Sequence, residues 1–182
     1  MNNVKQAHYM FARCNSLLSI NYDITITKSI SDISYFFSDC YSLTSINLKN
    51  FYTSVISNYE YMFHNCYNLK NIDISGFDIK QNANLKNMFS GCYSITSIDF
   101  SNVKPNYYQF DEIFYDCPNL NFVNFSFIRT FPYYYFWDES YYLFNKNISK
   151  NGTLILNKDY YNQYLFVNKN FKPEGWTLNL TS

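Results

Sequence analysis

Five cysteines, Cys14, Cys40, Cys66, Cys92 and Cys117, stand 26, 26, 26 and 25 residues apart. Other residue types keep the same rhythm. Three positions before each cysteine is a phenylalanine: Phe11, Phe37, Phe63, Phe89 and Phe114. One position earlier comes Met10, Phe36, Met62, Met88 or Ile113. Three after the cysteine comes Leu17, Leu43, Leu69, Ile95 or Leu120, and three further on Ile20, Ile46, Ile72, Ile98 or Val123. Two beyond that stand Tyr22, Leu48, Ile74, Phe100 and Phe125. Eleven after the cysteine stand Thr25, Phe51, Phe77, Val103 and Ile128, where Thr25 alone breaks the apolar rule. A unit this short cannot bury an apolar face by itself. It must stack on copies of itself, so the chain is restricted to a solenoid.

The spacing changes inside the unit. Steps of three around Phe-x-x-Cys-x-x-Leu predict a short helical or 3₁₀ turn. The step of two from isoleucine to leucine predicts a short strand. Each cysteine then fills a core column, where a free thiol behaves as a small hydrophobe. The expected fold class is α/β: a leucine-rich-repeat solenoid, with short parallel strands on a concave face and short helical turns on the convex side. Residues 1–128 carry five repeats, and residues 129–182 an aromatic insertion, a degenerate sixth repeat and an irregular C-terminal cap.

The segments LTSINLKNF (43–51) and LKNIDISGF (69–77) read as L-x-x-I-x-L/I-x-x-F within a period of 26. Units of the form M-F-x-x-C-x-x-L-x-x-I-D-L-S-x-F resemble the BspA-like leucine-rich-repeat surface proteins of mucosal bacteria and parasitic protists. The resemblance covers residues 7–128. It implies a surface or adhesive role and supplies no catalytic residues. It also implies a cell-surface or secreted location, although MNNVKQAHYMFARC at the start has no apolar run of signal-peptide length. A cytoplasmic location is the alternative.

Ala7 already falls in a core column with Ile33, Tyr59, Leu85 and Phe110, and only six residues precede it. The expectation is an uncapped N-terminal end, open to self-association or once preceded by further repeats. At the other end, KPEGWTLNL (172–180) reads as a turn and a last strand, with Trp176 closing the stack.

The outward strand positions form polar ladders. Seven after each cysteine come Asn21, Asn47, Asp73, Asp99 and Asn124. On one side lie Ser19, Ser45, Asn71, Ser97 and Phe122, and on the other Asp23, Lys49, Ser75, Ser101 and Ser126. The partner-binding residues expected on this face are Asn47, Lys49, Asn71, Asp73, Ser75, Ser97, Asp99, Ser101, Phe122 and Asn124. The competing reading is that the ladders only hydrogen-bond one another and solvate the sheet. With strands about 4.8 Å apart, five of them barely supply the ~800 Å² of a standard interface. Asp73 and Asp99 are adjacent rungs. A carboxylate pair at that spacing is a remote candidate for glycan hydrolysis or calcium. Nothing in the sequence sets one carboxylate apart from the other, so no catalytic residue, metal or cofactor is expected.

Other chemistry is thinner. No C-x₂-C pair offers a zinc site, and reduced buried thiols outweigh disulfides in an odd set of five. His64 next to Cys66 resembles a nucleophile pair, but the cysteine recurs in every repeat while His64 replaces Ala12, Ser38, Ser90 and Tyr115. Net charge is zero and Arg13 and Arg129 are the only arginines, so phosphate neutralisation of a nucleic acid is not expected. No run reaches the length of a membrane span, and no membrane insertion is expected. The aromatic stretch 131–144 reads as a cap packed on the stack, or as an exposed patch. The sequons at Asn124, Asn147, Asn151 and Asn179 gain meaning only on a secretory route. The functional expectation is a non-catalytic module binding a protein or cell-surface ligand. An intracellular protein-interaction scaffold is the alternative.

Overall fold

The computed structural model describes residues 5–20, 29–48, 51, 53–80, 82–101, 110–126, 143–144, 147–158 and 173–181. Six short strands follow the chain: β1 (Ser45–Ile46), β2 (Asn71–Ile72), β3 (Ser97–Asp99), β4 (Phe122–Phe125), β5 (Thr153–Asn157) and β6 (Thr177–Thr181). β1 pairs with β2, and β3-β4-β5-β6 form one sheet, all in parallel. β2 lies against β3 without a hydrogen-bonded ladder between them. The molecule is a parallel-strand β-solenoid.

The core is the set of columns the sequence repeats. Ile33, Tyr59, Leu85 and Phe110 are fully buried, as are Cys40, Cys66, Cys92 and Cys117. Phe11, Phe37, Phe63, Phe89 and Phe114 stack ring over ring at 5.5–6.2 Å. Stacked aromatic pairs contribute about 0.5–1.5 kcal/mol each beyond the area they bury. Each buried thiol also donates along the stack, to the carbonyl of the phenylalanine three before the previous cysteine. Cys40 reaches Phe11 O at 3.0 Å, Cys66 Phe37 O at 3.2 Å, Cys92 Phe63 O at 3.1 Å and Cys117 Phe89 O at 3.1 Å.

The segment before each cysteine departs from expectation. No helix forms in the described stretches between residues 5 and 126. The chain instead makes successive tight turns, closed in the first repeat by Met10 N–H on Ala7 O, Ala12 N–H on Tyr9 O and Cys14 N–H on Phe11 O. The N–H groups in between donate to the next repeat: Ala7 to Asp32, Tyr9 to Ser34, Phe11 to Phe36 and Arg13 to Ser38. Ile33, Tyr35, Phe37 and Asp39 repeat this on Asn58, Glu60, Met62 and His64. An α-helix would satisfy those groups internally and leave the coils without backbone links along this segment. Half the peptide planes therefore stand along the solenoid axis and the other half close turns.

That geometry requires left-handed residues. φ is positive five before and one before every cysteine: Tyr9 and Arg13, Tyr35 and Asp39, Tyr61 and Asn65, Asn87 and Gly91, Glu112 and Asp116. Positive φ at the third residue is what a type II turn needs. It costs about 1–2 kcal/mol for a residue with a Cβ. Asp, Asn and Gly suit the position. At the other column Tyr9, Tyr35 and Tyr61 stack on one another at 4.5 and 4.7 Å, which offsets the strain.

The C-terminal part continues the stack. β5 runs parallel to β4, and Leu154 and Leu156 are buried beside it. Phe144 extends the phenylalanine column, 5.5 Å from Phe114, and Ile148 bridges to Cys117. The other aromatics of 131–142 lie outside the described residues. Trp176 is buried, lies 5.3 Å from Phe144 and donates its indole N–H to Ser149 O at 2.8 Å. A Cβ on Gly152 would sit 2.5 Å from the Trp176 ring, so a glycine there admits the indole.

Candidate recognition face

Alternation along each strand turns every second side chain away from the core. The register aligns them in rows. Ser97, Phe122, Thr153 and Thr177 form one row, and Asp99, Asn124, Ile155 and Asn179 the next. Ser45 and Asn71 are partners in the shorter sheet. Ser45, Asn47, Asn71, Asp73, Ser75, Ser97 and Asp99 are exposed, while Ser101, Phe122 and Asn124 are half-buried. Lys49 lies outside the described residues. The face also includes Thr153, Ile155, Asn157, Thr177, Asn179 and Thr181, which the cysteine rhythm could not reveal because β5 and β6 carry no cysteine. The alternation of Leu154 with Leu156 and of Leu178 with Leu180 was the signal available.

The middle row has a local structural task. Oδ1 of Asp73 accepts the N–H of Ser75 at 2.9 Å, Oδ1 of Asp99 that of Ser101 at 2.7 Å, and Oδ1 of Asn124 that of Ser126 at 3.0 Å. These Asx turns end each strand and bend the chain toward the next corner. A second Asx column, unremarked in the sequence, lies eight before the cysteines. Asp32, Asn58 and Asn84 accept the N–H groups of Ser34, Glu60 and Lys86. Asp and Asn serve the turn equally. The choice between Asp and Asn along the row is therefore not fixed by the turn.

Phe122 and Ile155 stand diagonally across β4 and β5 on this otherwise polar face. Both are half-buried. Two apolar side chains in a lattice of Ser, Thr and Asn give it one desolvated spot, the kind of anchor on which binding energy concentrates.

Nucleophilic chemistry at Cys40, Cys66, Cys92 and Cys117 is opposed by their surroundings. Burial pushes the Cys40 thiol up to about 11 and Cys117 to about 12, and raises Cys66 and Cys92 well above the usual thiol range. All five cysteines are free. His64 lies edge-on to Tyr61 at 5.1 Å, and burial lowers its affinity for a proton despite the opposing pull of Asp39. Among the described residues no group of three or more His, Cys, Asp or Glu side chains converges as a cation's ligands would. No described helix is long and apolar enough to cross a membrane.

Searches of curated proteins and of solved structures gave no match. A family model described as "Mycoplasma protein of unknown function, DUF285" matches residues 1–103, more than half of the 182 residues, and the chain belongs to that family.

Proposed function

We propose that this chain is a non-catalytic recognition module of the leucine-rich-repeat type, binding a protein or cell-surface ligand in the manner of the BspA-like surface proteins. The observation that carries this reading is the Phe122–Ile155 pair within a flat polar lattice. A face that served only to solvate the sheet would have no use for it. The flanking Asp99 and Asn124 then give the partner polar contacts around an apolar centre. Affinity from so small a face is modest and is raised by display in many copies.

The test is surface plasmon resonance of the immobilised chain against purified extracellular-matrix and epithelial surface glycoproteins. Saturable binding of at least one of them is expected, weakened tenfold or more by Phe122→Ser with Ile155→Ser. Absence of binding across the panel overturns the reading, as does binding indifferent to the double substitution.

A second reading, an intracellular protein-interaction scaffold, is favoured by the five free thiols. Protease treatment of intact source cells separates the two. Loss of the chain from intact cells supports the surface reading, and full protection supports the scaffold.

A further inference from the structure

β6 is the last strand in the order of the four-stranded sheet, and among the described residues it pairs only with β5. Thr177 sends its N–H to Gly152 O at 2.7 Å, toward β5. Backbone groups alternate sides along a strand, so Asn179 and Thr181 also face β5, while the N–H and C=O of Leu178 and Leu180 point away from it, to the edge that no described strand covers. An exposed edge is normally blunted by charge, proline or a bulge. Thr177–Thr181 reads TLNLT and has none of these.

The core row is also less covered there. Leu156 is 1 % exposed, whereas Leu180, its register partner on β6, is 40 % exposed. The strand is moreover a palindrome about Asn179. An antiparallel two-fold pairing centred on that residue puts Leu178 opposite the second copy's Leu180, and Thr177 opposite its Thr181. The leucines then fall in hydrogen-bonded pairs, whose N–H and C=O are those already aimed outward, giving four backbone bonds. The Asn179 pair falls in the close, non-hydrogen-bonded position.

We infer that β6 is a homodimerisation edge: two copies join by antiparallel β6–β6 pairing about Asn179 into one continuous eight-stranded sheet. The occupant is a second copy because the strand is complementary to itself in sequence, side-chain face and backbone polarity. The opposite end lacks that property. Among the described residues, the carbonyls of Gln6, His8, Met10 and Ala12 in the first repeat have no backbone donor, while the equivalent carbonyls in the next repeat each accept one. Two such ends brought together would set acceptors against acceptors. The inference stands independently of the ligand-binding reading.

The experiment uses the 182-residue chain. Sedimentation over about 1 µM to about 1 mM, the range in which a small interface dissociates, is expected to show a monomer–dimer equilibrium. Asn179→Lys, which sets two like charges face to face at the two-fold, is expected to raise the dissociation constant at least tenfold. Asn179→Cys is expected to form an interchain disulfide under mild oxidation, and Thr177→Cys to form little, since its own partner is Thr181. Circular dichroism checks that the variants fold. A monomer at every concentration overturns the inference. So does a dimer unaffected by Asn179→Lys, which would place the contact elsewhere, or equal cross-linking of the two cysteine variants.

Discussion

The thiols show how one residue serves two demands of a stacked core. Cys66 must be small enough for a coil that turns at that point, and its S–H finds Phe37 O at 3.2 Å. That carbonyl also accepts the Cys40 N–H at 3.2 Å, so removing the thiol leaves no orphaned acceptor. Cys66→Ala is therefore expected to cost only a small cavity, about 1–2 kcal/mol. Cys66→Ser keeps the donor near the same carbonyl and is expected to cost a similar amount. Urea unfolding of both checks this, and an unchanged midpoint would remove the cysteine from the core. His64 presents the opposite case. Its Nδ1 is buried with no hydrogen-bond partner among the described residues, and burial makes the folded chain hold the ring's proton less tightly than the ordinary value of 6.5. A depressed folded value means the unfolded state takes up the proton first. The contribution is full above about 6.5 and is lost as pH falls toward the lower folded value. Thermal melts between neutral and mildly acidic pH are expected to decline less steeply for His64→Ser, which installs the residue found at Ser38 and Ser90.

At the scale of the element, the turn ribbon was the part least legible in the sequence. Core columns and strands follow from apolar spacing, because burial selects residue type directly. The polar rows Ser97–Phe122 and Asp99–Asn124 were legible for the same reason. The ribbon is different. Its conformation is imposed by the neighbouring coil, which supplies acceptors for alternate N–H groups, and no local preference would put Tyr9, Tyr35 and Tyr61 at positive φ. The run Asp39, Asn65, Gly91 and Asp116 before the cysteines was the available signal, since Asn, Asp and Gly tolerate that region. Phe144 was hidden because Ile148 stands in the cysteine column of its coil. Gly91 tests the account. Its φ is +74, and an added Cβ would lie 2.3 Å from Oδ1 of Asn65, whose Nδ2 donates to Asp39 at 2.9 Å. Gly91→Ala is expected to destabilise by about 1–2 kcal/mol from backbone strain, with a further loss from the contact. Asn65 also has positive φ, so Asn65→Ala carries a cost of its own, and the comparison is made within that background: there Gly91→Ala should cost only the strain, because the contact with Oδ1 is already gone. Equal stability of Gly91→Ala and the parent would mean that the ribbon tolerates a side chain there.

For the whole molecule, the consequence of stacking is that each coil is supported only by its neighbours, so stability is distributed along an axis. The phenylalanine column makes this measurable. Phe63 is fully buried between Phe37 at 5.5 Å and Phe89 at 5.6 Å, whereas Phe11 is half-buried and stacks on Phe37 from the first repeat. Phe63→Ala removes two ring contacts and leaves a cavity in mid-stack, an expected cost of about 3–5 kcal/mol. That loss interrupts the axial bonds on both sides. Hydrogen exchange should therefore quicken at Tyr35 and Phe37 in one direction and at Tyr61 and Asn65 in the other, where each N–H donates to the following coil. Phe11→Ala is expected to free only the first repeat, speeding exchange at Tyr9 and Arg13 while Tyr61 and Asn65 keep their protection. A single all-or-none core would behave otherwise, with both substitutions raising exchange uniformly from Tyr9 to Asn65. That pattern would replace nearest-neighbour stacking with global cooperativity as the way this solenoid holds its coils in register.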